Sequence, residues 1–242
     1  MPNPIIVPLD VPDIEAARRS LDALAPFVDH FKVGKQLFTA AGPSAVELVH
    51  SYDKRVFLDL KFHDIPNTVQ HAAASAAELG VWMLNVHVAG GSAMLRAARE
   101  GAGASDRMLL IGVTVLTSVD DDLWTEVHGD GALPITEQAP RMARVAEAAG
   151  LDGVVASPRE IAAIRACCGA NFRIVTPGVR PAGADHGDQR RTMTPGDAVK
   201  AGADYLVIGR PITQADDPAE ATRAILDEVA NARGSGGGSR GG

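Results

Sequence analysis

The chain has few of the residues that mark disulfide-rich, metal-binding and membrane proteins. Only two of its 242 residues are cysteines, and the neighbours Cys167 and Cys168 show no CxxC or Cys/His metal spacing. We therefore expect packed thiols in a reducing cytoplasm and no disulfide framework. No apolar run is long enough to span a bilayer, and the N-terminal segment lacks the charged and apolar regions of a signal peptide.

Basic side chains are also in the minority, because 23 Lys and Arg face 30 Asp and Glu and give a formal net charge of −7. A nucleic-acid surface needs a basic footprint, so this balance argues against such a partner. With 46% hydrophobic and 22% charged residues, the composition is that of an ordinary globular domain. The length suits a single α/β barrel, whose core needs no disulfide or metal to be stable.

Short β-branched runs alternate with amphipathic, alanine-rich stretches along almost the whole chain. This alternation predicts a parallel sheet with right-handed crossovers, and eight units favour closure into a single (β/α)8 TIM barrel. A doubly wound open sheet is the alternative. The predicted strands are Ile5–Leu9, Phe31–Gly34, Val56–Lys61, Val81–Val88, Leu109–Leu116, Gly153–Ala156, Arg173–Pro177 and Tyr205–Ile208. The predicted helices include Asp13–Leu24, Thr68–Leu79, Ala93–Glu100, Arg141–Ala149 and Pro218–Ala230.

Helix boundaries carry their own signals. Ser157 and Thr194 each precede a proline, with an acidic residue three positions on, which predicts N-caps. The glycines expected to end the preceding helices are Gly80, Gly150 and Gly202. We expect the barrel domain to cover residues 1–232 and the Gly-rich residues 233–242 to form a flexible tail.

The strongest functional signal is the segment FLDLKFHD, which begins at Phe57. Side chains alternate along a strand, so Asp59 and Lys61 are predicted to face the barrel interior, while Leu58 and Leu60 face the helices. Active sites of such barrels lie at the C-terminal strand ends. The alternative is a buried structural ion pair. We favour a functional site, because such charges are costly to bury and these lie at the catalytic end of a strand.

Charged residues also lie at the ends of the first two predicted strands. Asp10 follows strand one, Lys32 lies in strand two, and Asp64 lies in the loop beyond Lys61. Strand ends of a barrel meet at one rim, so a cluster of lysine and aspartate side chains is predicted there.

A second signal lies late in the chain. Predicted strand seven is followed by a long glycine-rich loop, and strand eight by Gly209 and Arg210. Barrels often bind phosphate with these two loops, so we favour a phosphate contact for Arg210. For Arg191 a solvated basic loop is the simpler interpretation. The strand-seven loop carries Arg180, Gln189, Arg190 and Arg191.

Other candidate residues give weaker signals. His87 ends strand four and either lines the site or is a hydrogen-bonded structural histidine. His63 and His71 are not accompanied by other residues at metal-ligand spacing. The segment GGS lacks the third glycine and distal acid of a dinucleotide fingerprint, and Ser92 within it is expected to be a helix cap. We therefore predict no zinc, nicotinamide or flavin.

Together these motifs resemble the orotidine 5'-monophosphate decarboxylase family from Ile5 to about Ile212. The matching elements, in family order and spacing, are LD at Asp10, KVG at Lys32, DLKFHDIPNT, NVHVAGG, TVLTS, TPGVR, the DQRR segment and IGRPI. The Asp-x-Lys-x-x-Asp element by itself is shared with sugar-phosphate relatives. The full set of motifs is specific for the orotidine 5'-monophosphate decarboxylase family. One departure is Lys35, where a Met-like residue is common.

The resemblance implies a cofactor-free carboxy-lyase that converts orotidine 5'-monophosphate to uridine 5'-monophosphate (UMP) and CO2. It implies four catalytic residues: Asp59 and Lys61 at the reacting carbon, Lys32 in the network beside them, and Asp64. It also implies that Asp64 and Thr68 are ribose contacts that reach the neighbouring subunit's site in a homodimer. The residues implied in binding the ribose, the pyrimidine edge and the phosphate are Asp10, Lys32, Thr117, Arg180, Gln189, Gly209 and Arg210.

Two other functions compete with this interpretation. A Mg²⁺-dependent sugar-phosphate decarboxylase or aldolase of the same superfamily is expected to carry a metal-binding glutamate at the strand-two position. Here that position is Lys32, whose ammonium would repel the ion. A catalytically silent phosphate-binding barrel should lack a member of the lysine–aspartate cluster, and none is missing.

Overall fold

Eight parallel strands close into one barrel, in a computed structural model that describes residues 3–103, 108–181 and 193–234. The last strand pairs with the first, with Ile5 opposite Leu206 and Ile6 opposite Val207. This closure confirms the predicted TIM barrel and excludes the doubly wound open sheet. The strands are β1 (Ile5–Pro8), β2 (His30–Gly34), β3 (Arg55–Phe62), β4 (Met83–His87), β5 (Leu109–Val113), β6 (Gly153–Val155), β7 (Arg173–Pro177) and β8 (Tyr205–Val207).

Helices connect the strands and cover the outside of the barrel. Within the described ranges, none of them is long and apolar enough to cross a membrane. The helices are α1 (Ile14–Leu24), α2 (Lys35–Ala41), α3 (Ser44–His50), α4 (Pro66–Glu78), α5 (Gly91–Ala102), α6 (Asp121–His128), α7 (Ile135–Ala148), α8 (Ile161–Cys167), α9 (Pro195–Ala201), α10 (Arg210–Thr213) and α11 (Pro218–Gly234).

Local signals fix several helix boundaries as predicted. The Thr194 side chain caps α9, and Ser157 forms a capping box with Glu160 in the 3-10 turn before α8. Three predicted stop glycines adopt the left-handed region that side chains with a Cβ disfavour. Their φ angles are 71° at Gly80, 85° at Gly150 and 112° at Gly202.

The structure differs from the sequence-based expectation at two helix ends. Ser92 is not a cap, because α5 begins at Gly91 and its N-cap is Gly90. Helix α11 continues to Gly234, two residues past the expected end of the barrel at residue 232. Residues 235–242 lie outside the described residues, so a flexible tail there stays a prediction.

The apolar core has two layers. Inward-facing side chains of the strands fill the barrel, and the opposite strand faces pack against the helices. Leu58 and Leu60 belong to the outer layer, as predicted. The buried residues of the barrel interior are Ile6, Phe57, Met83, Ile111 and Val175.

Three rings pack together at the N-terminal end of the barrel, opposite the catalytic end. The buried His30 ring at the start of β2 lies 4.2 Å from the Trp82 ring and 5.7 Å from the Tyr205 ring. Burial, followed by the nearby Arg55 cation, lowers the pKa of His30 from 6.5 to about 4. The folded chain therefore excludes a proton that the unfolded chain binds below pH 6.5.

We expect His30 to make the fold sensitive to acid. Its folded-state pKa lies below the unfolded value, so its contribution is complete above pH 6.5 and is lost as pH falls towards 4. His30→Phe keeps an aromatic ring and removes the titration. Between pH 7.5 and 4.5, wild type should lose roughly 2–3 kcal/mol more free energy of unfolding in urea than the variant does. Equal losses in both proteins would contradict this assignment.

Candidate active site

The end of β3 brings a carboxylate and an ammonium together at the barrel mouth. Lys61 Nζ lies 2.5 Å from Asp59 Oδ1, which confirms that the two side chains share the interior side. The backbone is less regular than simple alternation predicts. Lys61 has a φ of 53°, and the register between β3 and β4 shifts between Leu58 and Phe62. This irregular stretch of β3 therefore carries Lys61 at the mouth.

Lys32 on β2 extends this pair into a network over three strands. Its Nζ donates to Asp10 Oδ1 at 2.9 Å and lies 3.2 Å from Asp59 Oδ2. Gly34 leaves the space for this contact, because a Cβ there would lie 3.0 Å from both Asp10 Oδ1 and Lys32 Nζ. The four charges alternate in the order Asp10, Lys32, Asp59, Lys61, and the structure brings all of them together as predicted.

The network holds its buried members in their charged forms. Burial by itself would raise the pKa of Asp59, but Lys32 and Lys61 outweigh it and hold that pKa below its ordinary value. Burial would likewise lower the pKa of Lys32, but Asp59 and Asp10 raise it above its ordinary value. Asp59 and Lys32 therefore present fixed, opposite charges near neutral pH.

A small cavity lies directly above the network. Its volume is about 160 Å³, and Lys32, Asp59 and Lys61 form its charged side. Thr117, a predicted pyrimidine contact, lies in its wall. The remaining lining is mostly apolar, which lowers the local dielectric and strengthens the field of the charged groups. These other lining residues are Phe57, Val113, Val115, Leu116, Val155, Pro177 and Val207.

The segment after β3 is exposed. Asp64 Oδ1 accepts a hydrogen bond from the Ile65 backbone N–H at 2.6 Å, and Thr68 lies in the first turns of α4. In the part of the chain that the structure describes, neither Asp64 nor Thr68 bonds to the charged network. The Ile65 side chain is 66% exposed. This loop therefore exposes an acidic and an apolar side chain side by side.

The predicted phosphate residues lie on the β7 and β8 side of the mouth. Arg180 is buried and donates from Nη1 to the Val179 carbonyl at 2.9 Å, whereas Arg210 is exposed at the start of α10. A Cβ on Gly209 would lie 3.0 Å from the Pro8 ring, so this turn is closely packed on β1. Gln189, Arg190 and Arg191 lie outside the described residues.

Two further side chains lie beside the network: Asn85, which was not among the predicted site residues, and His87, for which a site role and a structural role were both left open. Asn85 on β4 is completely buried and donates to Asp59 Oδ1 at 2.7 Å. His87 follows two residues later, and burial, then His63 and Lys61, lowers its pKa to about 4. Alternation along β4 could also have identified Asn85, because Met83, Asn85 and His87 lie on the same face of the strand.

Fold and site together define a (β/α)8-barrel enzyme that holds alternating lysine and aspartate charges beside a small cavity at the C-terminal strand ends. The family model described as "Orotidine 5'-phosphate decarboxylase / HUMPS family" matches residues 3–225. The chain therefore belongs to this family.

Named relatives agree with this membership. The chain is 59% identical to orotidine 5'-phosphate decarboxylase of Moorella thermoacetica, over 93% of this chain and 91% of that protein. It is 52% identical to the Shewanella sediminis protein of the same name, over 92% and 95%. The crystal structure of orotidine 5'-phosphate decarboxylase from Lactobacillus acidophilus has a TM-score of 0.82 and 39% identity, over 93% of this chain and 98% of that one.

Proposed function

We propose that this chain decarboxylates orotidine 5'-monophosphate to UMP and CO2 without a cofactor, which makes it a carboxy-lyase of pyrimidine biosynthesis. The observation that carries the proposal is the Asp10–Lys32–Asp59–Lys61 network beside a cavity, in a chain with close relatives of that name. The cytoplasmic location suggested by the reduced cysteines stays a prediction.

The chemistry requires stabilisation of a carbanion. When the bond between C6 and the carboxylate breaks, CO2 leaves and the electron pair stays on C6 with no adjacent electron sink. The Lys61 ammonium stabilises this charge and then gives its proton to C6, and the resulting amine takes a proton from solvent. Asp59 lies against the substrate carboxylate, a repulsion that is relieved as CO2 departs.

The remaining predicted residues bind the rest of the nucleotide. Asp10 and Lys32 hold the ribose and orient Asp59, and Thr117 contacts the pyrimidine edge. The β7 and β8 side binds the phosphate through charge-assisted hydrogen bonds and backbone amides. The phosphate is remote from C6 and does not react. Its binding energy can therefore support catalysis only by holding the pyrimidine ring in position. The proposed phosphate residues are Arg180, Gln189, Gly209 and Arg210.

The Mg²⁺-dependent alternative is not supported. The two carboxylates of the network, Asp10 and Asp59, are already paired with Lys32, whose ammonium would repel a divalent cation. The most similar relatives reported above are also named as orotidine 5'-phosphate decarboxylases.

We expect purified protein to consume orotidine 5'-monophosphate, followed by its absorbance, at equal rates with and without EDTA. Lys61→Ala should lower kcat by at least about 10²–10⁴-fold, because it removes both the proton donor and a stabilising charge. Binding of UMP, measured by calorimetry, should be weakened and still measurable.

Orotidine, which lacks the phosphate, is the matched control substrate and should react far more slowly with wild type. A Lys61→Ala variant that keeps more than half of the wild-type kcat would overturn the assignment of Lys61. Loss of wild-type activity in EDTA would instead favour the metal-dependent alternative.

A homodimer with shared sites explains the loop after β3. Asp64 and Thr68 make no bond to the network of their own chain in the described residues, and Ile65 is 66% exposed beside them. A second copy that covers this loop would bury Ile65 and bring Asp64 and Thr68 to the ribose of the neighbouring site. An isologous twofold contact would do this at both sites at once.

Mixed dimers test the shared site. Lys61→Ala and Asp64→Ala chains, each inactive alone, should together recover up to about a quarter of wild-type activity, because random exchange leaves one complete site in each hybrid. A mixture of Lys61→Ala and Asp59→Ala chains is the control and should recover nothing, since both residues belong to one chain's site. A fully active monomer in light scattering would refute the proposal.

A further inference from the structure

Asn85 is a fully buried polar side chain in the middle of a barrel strand. It lies on β4 between Met83, which packs in the barrel interior, and His87 at the mouth, and its exposed fraction is 0%. Its partner on the next strand, β5, is the apolar Ile111. An amide is unfavourable in such a place unless both of its ends are hydrogen-bonded.

Both ends of this amide bond to the catalytic strand. Asn85 Nδ2 donates to Asp59 Oδ1 at 2.7 Å, and Asn85 Oδ1 accepts from the Lys61 backbone N–H at 2.8 Å. The partners fix the orientation of the amide, because a carboxylate can only accept and a backbone N–H can only donate. One side chain therefore connects the two residues assigned to the reaction.

The hydrogen bond from the Lys61 backbone N–H to Asn85 lies where β3 is irregular. The ladder between β3 and β4 is interrupted between Leu58 and Phe62, and Lys61 lies in the left-handed region with a φ of 53°. That conformation is disfavoured for a residue with a Cβ and persists only when its surroundings hold it. The Asn85 carbonyl accepts the N–H of Lys61 within this irregular stretch.

We propose that Asn85 is a positioning residue for the decarboxylation, fixing the Lys61 backbone and the Asp59 carboxylate relative to one another. The inference rests on the proposed function. Asn85 lines no part of the cavity described above, so it acts through these two neighbours. Without it, the Lys61 ammonium would lose its fixed direction towards C6.

The role requires one donor and one acceptor at the spacing of an asparagine amide. Leucine has similar size and offers neither. A protonated aspartic acid offers both, since its hydroxyl can donate to Asp59 while its carbonyl accepts from Lys61. An ionised aspartate keeps the acceptor but turns a second negative charge towards Asp59. Asn85→Asp should therefore function when protonated and fail when ionised.

The surroundings of position 85 determine how the introduced carboxyl titrates. Burial and the Asp59 charge favour its protonated form, and the ammonium groups favour its ionised form. Ile111 faces it from β5 without a charge. The titratable groups around it are Asp59 and Lys61 on β3, Lys32 on β2, Asp10 after β1, His87 on β4, and His63 and Lys35 near His87.

The test compares kcat and KM for orotidine 5'-monophosphate in wild type, Asn85→Leu and Asn85→Asp from about pH 8 to about pH 5. Asn85→Leu should lower kcat at least about tenfold at every pH, with KM changed less, because misdirected catalytic groups affect the chemical step. The kcat of Asn85→Asp relative to wild type should rise as pH falls, and that of Asn85→Leu should stay level.

Val86→Ala is the matched control, because Val86 is the next residue on β4 and packs on the helix side. It should lower the melting temperature and keep kcat. Similar kcat losses in Val86→Ala and Asn85→Leu would show that only stability had changed and would overturn the inference.

Parallel pH profiles of Asn85→Asp and Asn85→Leu would also overturn it. If Asn85→Leu does not fold, the Asn85→Asp variant decides by itself. A ratio of its kcat to the wild-type kcat that does not change with pH would overturn the inference. An inactive wild type contradicts the proposed function, whereas an active wild type with parallel variant profiles contradicts only the role of Asn85.

Discussion

The rest of the site depends on one interaction, the pairing of the Asp59 carboxylate with the ammonium groups of Lys32 and Lys61. Lys61 and Asn85 bond to one of its oxygens and Lys32 lies 3.2 Å from the other, so a buried acid keeps its charge in an apolar setting. Removing any one partner would leave a buried charge less compensated. The same compensation keeps the lysines fixed, and a fixed ammonium is what a reaction through a carbanion requires. The site thus supplies its electrostatics before substrate arrives.

The barrel makes this arrangement possible through its register. Lys32 on β2 pairs with Phe57 on β3, which brings its ammonium below Asp59, and Gly34 leaves the space that its bond to Asp10 needs. The β3 backbone then becomes irregular at Lys61, the residue assigned to the proton transfer. The regularly paired part of the barrel therefore provides stability, and the irregular end of β3 positions the Lys61 side chain.

Much of this could be predicted from sequence, for identifiable reasons. Strand and helix periods differ, so the alternation of elements predicted the barrel, and the spacing of Asp59 and Lys61 predicted their shared side. The left-handed backbone of Lys61 could not be predicted, because glycine is the usual signal for it and none is present. The contact between Asn85 and β3 depends on the register between two strands, which one sequence does not define.

The charge state of Asp59 is the most direct test of this account. Carbon-13 NMR of its carboxyl carbon, assigned with Asp59→Asn, would follow its ionisation in the folded protein. We predict no titration of this carbon from about pH 8 down to the acid limit of the fold, because the two lysines hold the pKa of Asp59 below its ordinary value. The same carbon should titrate at higher pH in Lys61→Ala. A wild-type Asp59 that takes up a proton between about pH 8 and 5 would contradict the account, since burial would then outweigh the lysines.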